Sequence, residues 1–375
     1  MAKVLTIIGT RPEVIKTAVL QSLLANDPDI EAIYCSTGQH KELLHSVLVD
    51  FAISLDVELD AMAHNQSLSH QISYIMISLQ KVIDKEVIDL IIVQGDTLSA
   101  YCGAMIAFYN KIKIAHVEAG LRTGNKNGPY PEEIHRKYID DVADIHFAHS
   151  EMARQTLLTE GHLTDTVYMT GNTGIDALLS INKLLTMGNL SPAESIKNTV
   201  KKLKQTNSKL ALLTLHRRET SGSQQIDILE KILACAKELD MQIMMLIHPN
   251  PMLRDNLSTI DGSNRIELVN PLAYSSFVWL MTQVDIIYTD SGGIQEEAPY
   301  LGKRVIVLRG ETERQEAVED DTNRLYNAEN LVTATSEILA AEEVICKPYG
   351  DGNASNEIVR IIKKFTEPGI AEIRI

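Results

Sequence analysis

The sequence predicts an α/β protein built from two Rossmann-like domains with parallel sheets, facing each other across a cleft. Three observations lead there. Short β-branched runs recur along all 375 residues, helix-length segments separate most of them, and the runs are continuously apolar instead of alternating. Strands alternating with helices imply parallel sheets joined by crossovers. Continuous apolar strands imply sheets covered on both faces. A chain of 375 residues at about 150 per domain gives a prior of two domains.

In the first half the strand candidates are "KVLTIIGT", "EAIYCST", "LIIVQGD", "KIAHVEAG", "IHFAHS" and "TVYMTG". The second half repeats the plan with "LALLTLH", "QIMMLIHP", "RIELVN", "VDIIYTD" and "RVIVLRG". The domains are expected over about 1–170 and 171–352, and within 353–375 the segment "ASNEIVRIIKKF" reads as a helix packing back on the first domain. Thr186–Lys209 is the most linker-like stretch, polar and breaker-rich before it reads as a short helix.

Subtracting 50 acidic from 35 basic residues leaves −15. That charge opposes general nucleic-acid binding, so an anionic ligand requires a local basic pocket. No apolar stretch approaches the roughly 18 residues of a membrane helix, and "MAKVLTIIGTRPE" enters a strand directly. A cytoplasmic, non-membrane protein is expected. Cys35, Cys102, Cys235 and Cys346 lie far apart with no CxxC pair, which predicts neither a disulfide framework nor a zinc site. Without HExxH, an EF-hand or GxGxxG, no metal is expected, nor NAD bound in the usual way.

Ligands of open α/β sheets bind at the carboxyl ends of strands, and the polar groups collect there. Arg11 and Lys16 follow the first strand, Asp96 a buried one, and Glu118 and Arg122 the next. Each could merely cap a helix; three such placements in one sheet favour a site. "GNKNGPYPEEIHRKY" is a loop leading to a helix start at Pro131, with Glu132 and Glu133 suited both to the helix dipole and to a ligand. In the second half His216, Arg217 and Arg218 end one strand and His248 another. "YTDSGGIQEEAP" offers Ser291, Gly292 and Gly293 as an anion-binding corner. Arg309 and Arg314 are its cationic partners, Glu297 reaches ribose hydroxyls, and Glu296 simply favours the helix start. Phe277 in "FVWLM" reads equally as core.

Taken together these residues resemble the non-hydrolysing UDP-N-acetylglucosamine 2-epimerases of bacteria, which have the glycosyltransferase-B architecture. The resemblance covers nearly the whole chain, through "GTRPEVIK", "TGQHKELL", "QGDT", "HVEAGLRTG", "PYPEEIHR", "GNTGIDAL", "LLTLHRRE", "HPNP", "TDSGGIQEEAP", "TERQEAVE" and "PYGDGNAS". It implies interconversion of UDP-GlcNAc and UDP-ManNAc by a homodimer, with no cofactor, supplying ManNAc units for surface polysaccharide such as capsule. It also implies a route: UDP is eliminated across C1 and C2 to enzyme-bound 2-acetamidoglucal, then added back with a proton on the opposite face.

By the same resemblance Asp96, Glu118 and Glu132 take the carboxylate roles and His216 assists at the diphosphate. Arg11 and Lys16 lie on the diphosphate side, Arg217 and Arg314 are further substrate contacts, and Ser291, Gly292 and Gly293 form the phosphate loop. Glu297 holds ribose and Phe277 walls the uracil pocket. A second UDP-GlcNAc is implied as activator at Gln39, Glu42, Asn65 and His248. Two of these depart from the family, Glu42 standing where Gln is common and Asn65 where some members have Arg. Gln315 also replaces a usual proline, and Gly310-Glu311 a usual Asp-Thr. Alternatives are a hydrolysing 2-epimerase, a glycosyltransferase on the same fold and a catalytically silent UDP-sugar sensor.

Overall fold

The computed structural model describes residues 1–38, 41–60, 67–205, 208–215, 222–246, 263–309, 312, 314–319, 322–342 and 344–366. Gln39, Asn65, His216, Arg217 and His248 lie outside them, and Glu42 is described in its backbone alone.

Two parallel sheets form, as the alternation of apolar runs and helices predicts. The first contains β1 (Ala2–Ile8), β2 (Ile30–Ser36), β3 (Val57–Glu58), β4 (Leu90–Gln94), β5 (Lys113–Ala119), β6 (Ile145–Ala148) and β7 (Val167–Met169). Its order is 3-2-1-4-5-6-7. The second contains β8 (Lys209–Thr214), β9 (Met241–Leu246), β10 (Ile266–Val269), β11 (Ile286–Thr289), β12 (Val305–Val307) and β13 (Asn323–Leu325), in the order 10-9-8-11-12-13. Every pairing described is parallel. Sequence patterning misses β3 and β13, short edge strands of two and three residues, because so few residues carry no periodicity.

Both faces of the first sheet are buried, which is why its strands read as unbroken apolar runs. Along β4, Ile91 and Val93 join a cluster with Ile75, Leu79 and Cys102 on one side. Leu90 and Ile92 join Leu20, Leu24, Ile358 and Ile361 on the other. Successive side chains of a strand point to opposite faces, so one apolar segment serves two cores. The helix Ala354–Thr366 thus covers the same face as the helix Arg11–Ala25, and Lys363 pairs with Asp27 at 2.9 Å.

The chain falls into two compact units, Met1–Ser180 with Tyr349–Ile375, and Ile181–Pro348. The sequence-based division at 170/171 precedes the helix Thr173–Thr186, whereas the units divide within it. The opening turns of that helix are fastened to the first unit. The buried Asp176 carboxylate accepts the backbone N–H groups of Ala354 at 3.1 Å and Ser355 at 2.5 Å, where the closing helix begins.

In each unit the strand order reverses once, between β1 and β4 and between β8 and β11. Loops leaving the sheet on either side of a reversal run apart and leave a crevice at the strand ends.

Removing the Asp176 carboxylate leaves two buried N–H donors unpaired. Asp176→Ala should lower unfolding stability by about 1–3 kcal/mol in urea titrations, with Asp176→Asn recovering part of it through its remaining acceptor.

Candidate functional site

Crowding fixes the first loop. Gly9 follows β1, and a Cβ there would overlap the Ser99 hydroxyl and come within 2.7 Å of Thr37 Oγ1, so only glycine fits. Ser99 and Thr37 bond each other at 2.7 Å. Arg11 opens the next helix and Lys16 lies one turn further on. Glu13 of that helix is almost wholly buried, at 1% exposure. Its Oε2 accepts from the backbone N–H of Gly9 (3.1 Å) and Thr10 (2.7 Å) and from the Thr10 hydroxyl (2.7 Å). Its Oε1 accepts from the Thr97 hydroxyl at 2.7 Å. Thr97 follows Asp96 and caps the helix Leu98–Tyr109, accepting from Ala100 N at 3.1 Å. One carboxylate therefore clamps the loop after β1 to the loop after β4. Burial outweighs these hydrogen bonds and pushes the Glu13 carboxyl up to about 7.

Glu118 occupies a bulge. Pairing of β5 with β6 slips between Val117 and Ala119, and Glu118 has φ +67°, a region that costs a non-glycine residue roughly 1–3 kcal/mol. Its carboxylate is correspondingly well held. Oε2 accepts from Lys16 Nζ at 2.5 Å and from Gln94 Nε2 at 2.6 Å.

Asp96 is bound by the helix Glu132–Val142. Arg136 donates to its carboxylate, and His135 Nδ1 lies 3.0 Å from its backbone carbonyl. A carbonyl can only accept, so Nδ1 carries the proton. His135 stacks on Tyr101 at 4.7 Å, and burial lowers its pKa. Glu132, half-buried, opens this helix and adds negative potential at His135. Glu133, the alternative carboxylate, is buried and accepts from the N–H groups of Thr123 and Gly124 at 3.0 Å each, so it secures the glycine-rich loop.

Beneath these groups lies Asp140, fully buried. Its Oδ1 is 2.5 Å from His116 Nδ1, and its Oδ2 accepts from Gly120 N (3.2 Å) and Arg122 Nη2 (2.7 Å). Burial opposes the Asp140 charge, but His116 and Arg122 prevail and hold the carboxyl well below the usual range. His116 Nε2 in turn reaches the Gly95 carbonyl at 2.8 Å, one residue before Asp96. Arg122 also donates its Nε to Glu160 at 3.0 Å.

In the second unit the described strand-end residues follow β10, β11 and β12. Ser291 precedes the short helix Gly292–Glu297. Arg314 lies across Gly292, where a Cβ would come 2.6 Å from its Cζ. Its Nε donates to Glu296 Oε1 at 3.0 Å. Glu297 accepts from Tyr274 Oη at 2.8 Å. Phe277, half-buried, stands three residues after Tyr274 on the helix Tyr274–Gln283, hence on the same face.

The family model for UDP-N-acetylglucosamine 2-epimerase matches residues 22–363. The chain belongs to the UDP-N-acetylglucosamine 2-epimerase family. It is 39% identical over 368 residues to the UDP-N-acetylglucosamine 2-epimerase of Bacillus subtilis (strain 168), covering 95% of this chain and 94% of that one. The Neisseria meningitidis UDP-GlcNAc 2-epimerase, solved bound to UDP-GlcNAc, superposes with a TM-score of 0.87 at 38% identity, covering 96% of this chain and all of that one (100%). The Methanocaldococcus jannaschii enzyme, solved with UDP-GlcNAc and UDP, gives 0.84 at 32% identity, covering 96% of this chain and 99% of that one.

Within this 2-epimerase chain, Arg11, Lys16, Asp96 and Glu118 lie at or just after the ends of β1, β4 and β5 in the first unit, where Lys16 meets Glu118, and Glu132 opens the helix whose Arg136 and His135 hold Asp96. Ser291, Gly292, Gly293, Glu297, Arg314 and Phe277 collect in the second. Sequence reasoning passed over Glu13, Gln94, Arg136, His116 and Asp140. All five stand within or beside the quoted motifs, but only contacts reveal their partners. Tyr274 was missed for the same reason, and Glu296, read as a helix-start acid, is an ion-pair partner.

The raised Glu13 pKa fixes a sign for pH dependence. The folded state holds this proton more tightly than the unfolded chain, so the contribution is complete below about 4.5 and lost as pH rises through about 7. Wild-type stability should fall across that window relative to Glu13→Gln, by on the order of 3 kcal/mol, as read from urea titrations at a series of pH values.

Proposed function

We propose that this epimerase inverts C2 of UDP-GlcNAc without hydrolysing it, forming UDP-ManNAc through elimination and re-addition of UDP. The observation that carries this reading is the carboxylate group at the β4 and β5 ends. Asp96 and Glu118 leave adjacent strands, Glu132 opens the following helix, and Lys16 and Arg136 are the cations held against two of them.

The C2 hydrogen is barely acidic, so a direct deprotonation gains little from one base. Elimination breaks the C1–O bond to UDP as the C2 proton leaves to a carboxylate, which produces 2-acetamidoglucal. Re-addition restores the C1–O bond, and a proton is delivered to the opposite face of C2. The two transfers at C2 need groups on two faces of the sugar ring, and the carboxylate set supplies more than one. The departing diphosphate carries the developing charge and needs cations and amides placed in advance. That task is assigned to Arg11, Lys16, Arg217, Arg314 and the Ser291–Gly293 corner, with His216 assisting. Glu297, oriented by Tyr274, is the ribose acceptor, and Phe277 is the uracil wall. The product serves synthesis of ManNAc-containing surface polysaccharide, in the cytoplasm.

A second UDP-GlcNAc is the proposed activator, at Gln39, Glu42, Asn65 and His248. A carboxylate at 42 repels a diphosphate, and a neutral side chain at 65 supplies no charge to offset it. Activation is therefore weak, and initial rates should follow a nearly hyperbolic dependence on UDP-GlcNAc; marked sigmoidicity would contradict this.

Purified protein with UDP-GlcNAc alone in deuterated water should yield UDP-ManNAc carrying deuterium at C2 by NMR. Free ManNAc with UDP would establish the hydrolysing alternative instead. Glu118→Gln should lower turnover by about 100-fold or more while leaving the UDP Kd largely unchanged in calorimetry. Persisting turnover would remove Glu118 from the catalytic set.

A further inference from the structure

We propose that Glu296 is a positioning residue, which fixes the guanidinium of Arg314 against Gly292 for contact with the substrate diphosphate. The inference rests on reading Ser291–Gly293 as the phosphate loop.

Glu296 is 2% exposed, and its Oε1 takes Arg314 Nε at 3.0 Å. Arg314 itself is 9% exposed. Its guanidinium lies where a side chain on Gly292 would be, with Cζ, Nη2 and Nε at 2.6, 2.7 and 2.9 Å from an added Cβ. The absence of a side chain at 292 therefore makes room for a cation as well as for the turn.

The neighbouring residue fastens the other end of Arg314. Gln295 Oε1 accepts from the Thr312 hydroxyl at 2.6 Å, and Thr312 Oγ1 accepts the backbone N–H of Arg314 at 3.2 Å. Gln295 Nε2 donates to the carbonyl of Ser291 at 3.2 Å, and Asn323 Nδ2 donates to the Gln295 carbonyl at 3.0 Å. Two consecutive residues of one short helix thus hold the backbone and the head group of a single arginine.

A buried ion pair gives little net stability, because desolvation offsets the Coulombic gain. What the pair does provide is direction. Anchoring through Nε sets the plane of the guanidinium, and that plane decides which phosphate oxygens its fork can meet. Glu296 acts through Arg314, by orientation and not by adding charge.

The test separates orientation, charge and folding. UDP and uridine affinities are measured by NMR titration for the wild type, Glu296→Ala, Glu296→Gln and Gly292→Ala, each with its Tm. Glu296→Ala should weaken UDP by about tenfold or more and leave uridine unchanged. Glu296→Gln, which keeps an acceptor for Nε, should stay near wild type. Gly292→Ala, which displaces the guanidinium, should behave as Glu296→Ala does. The proposal is overturned if Glu296→Ala keeps the wild-type ratio of UDP to uridine affinity, or if Glu296→Gln falls as far as Glu296→Ala. A loss of both ligands with a lowered Tm would also overturn it, marking Glu296 as merely structural. Should Glu296→Ala fail to fold, Glu296→Gln decides, and a loss of about tenfold in UDP affinity with uridine affinity kept would overturn the proposal. A wild-type protein that binds neither ligand would overturn the phosphate-loop reading itself.

Discussion

A buried carboxylate, Glu13, joins the two loops that leave the first sheet where its strand order reverses. The reversal by itself opens a crevice but fixes neither side of it. Glu13 spans the gap with four hydrogen bonds, three to the turn after β1 and one to Thr97 after β4. Arg11 lies inside the first of these segments and Asp96 beside the second, so their spacing follows from this clamp. The arrangement holds a carboxyl group in a place where burial disfavours its charge, and the hydrogen bonds recover only part of that cost.

A polar group in a sheet buried on both faces is costly unless a partner satisfies it. The first unit meets this constraint with a second tier of polar groups under the first. Asp140 gathers His116, Arg122 and the Gly120 N–H, and His116 passes the constraint on to the Gly95 carbonyl. Asp96 is thus held from below through its neighbour Gly95 and from the side by Arg136 and His135. Glu118 pays for its left-handed backbone with two donors on a single carboxylate oxygen. Strain at a bulge next to polar strand ends is typical of groups that must point where a regular strand would not send them.

The second unit solves a related problem. Two adjacent acids, Glu296 and Glu297, stand beside a glycine corner that reads as an anion site. They do not compete with it, because successive positions on a helix face about 100° apart. Glu296 is taken up by Arg314, while Glu297 is held by Tyr274. An acid next to a proposed phosphate loop serves here to aim a cation.

The amino-acid sequence by itself determined the two parallel sheets, the strand ends as the location of the polar groups, and the family. Those features are written locally: apolar runs need burial, and motif residues keep their spacing whatever the rest of the chain does. Even so, β3 and β13 escaped it, since two or three residues at a sheet edge owe their conformation to the strand they pair with. Which carboxylate meets which cation was decided only by the tertiary structure. Arg122 stands four residues from Glu118 in the chain, yet it turns to Asp140 and Glu160, while Lys16, 102 residues away from Glu118, reaches it. Ion pairs and hydrogen bonds depend on distances of a few ångströms between segments remote in sequence. Those distances exist only after the sheets have set the order of their strands.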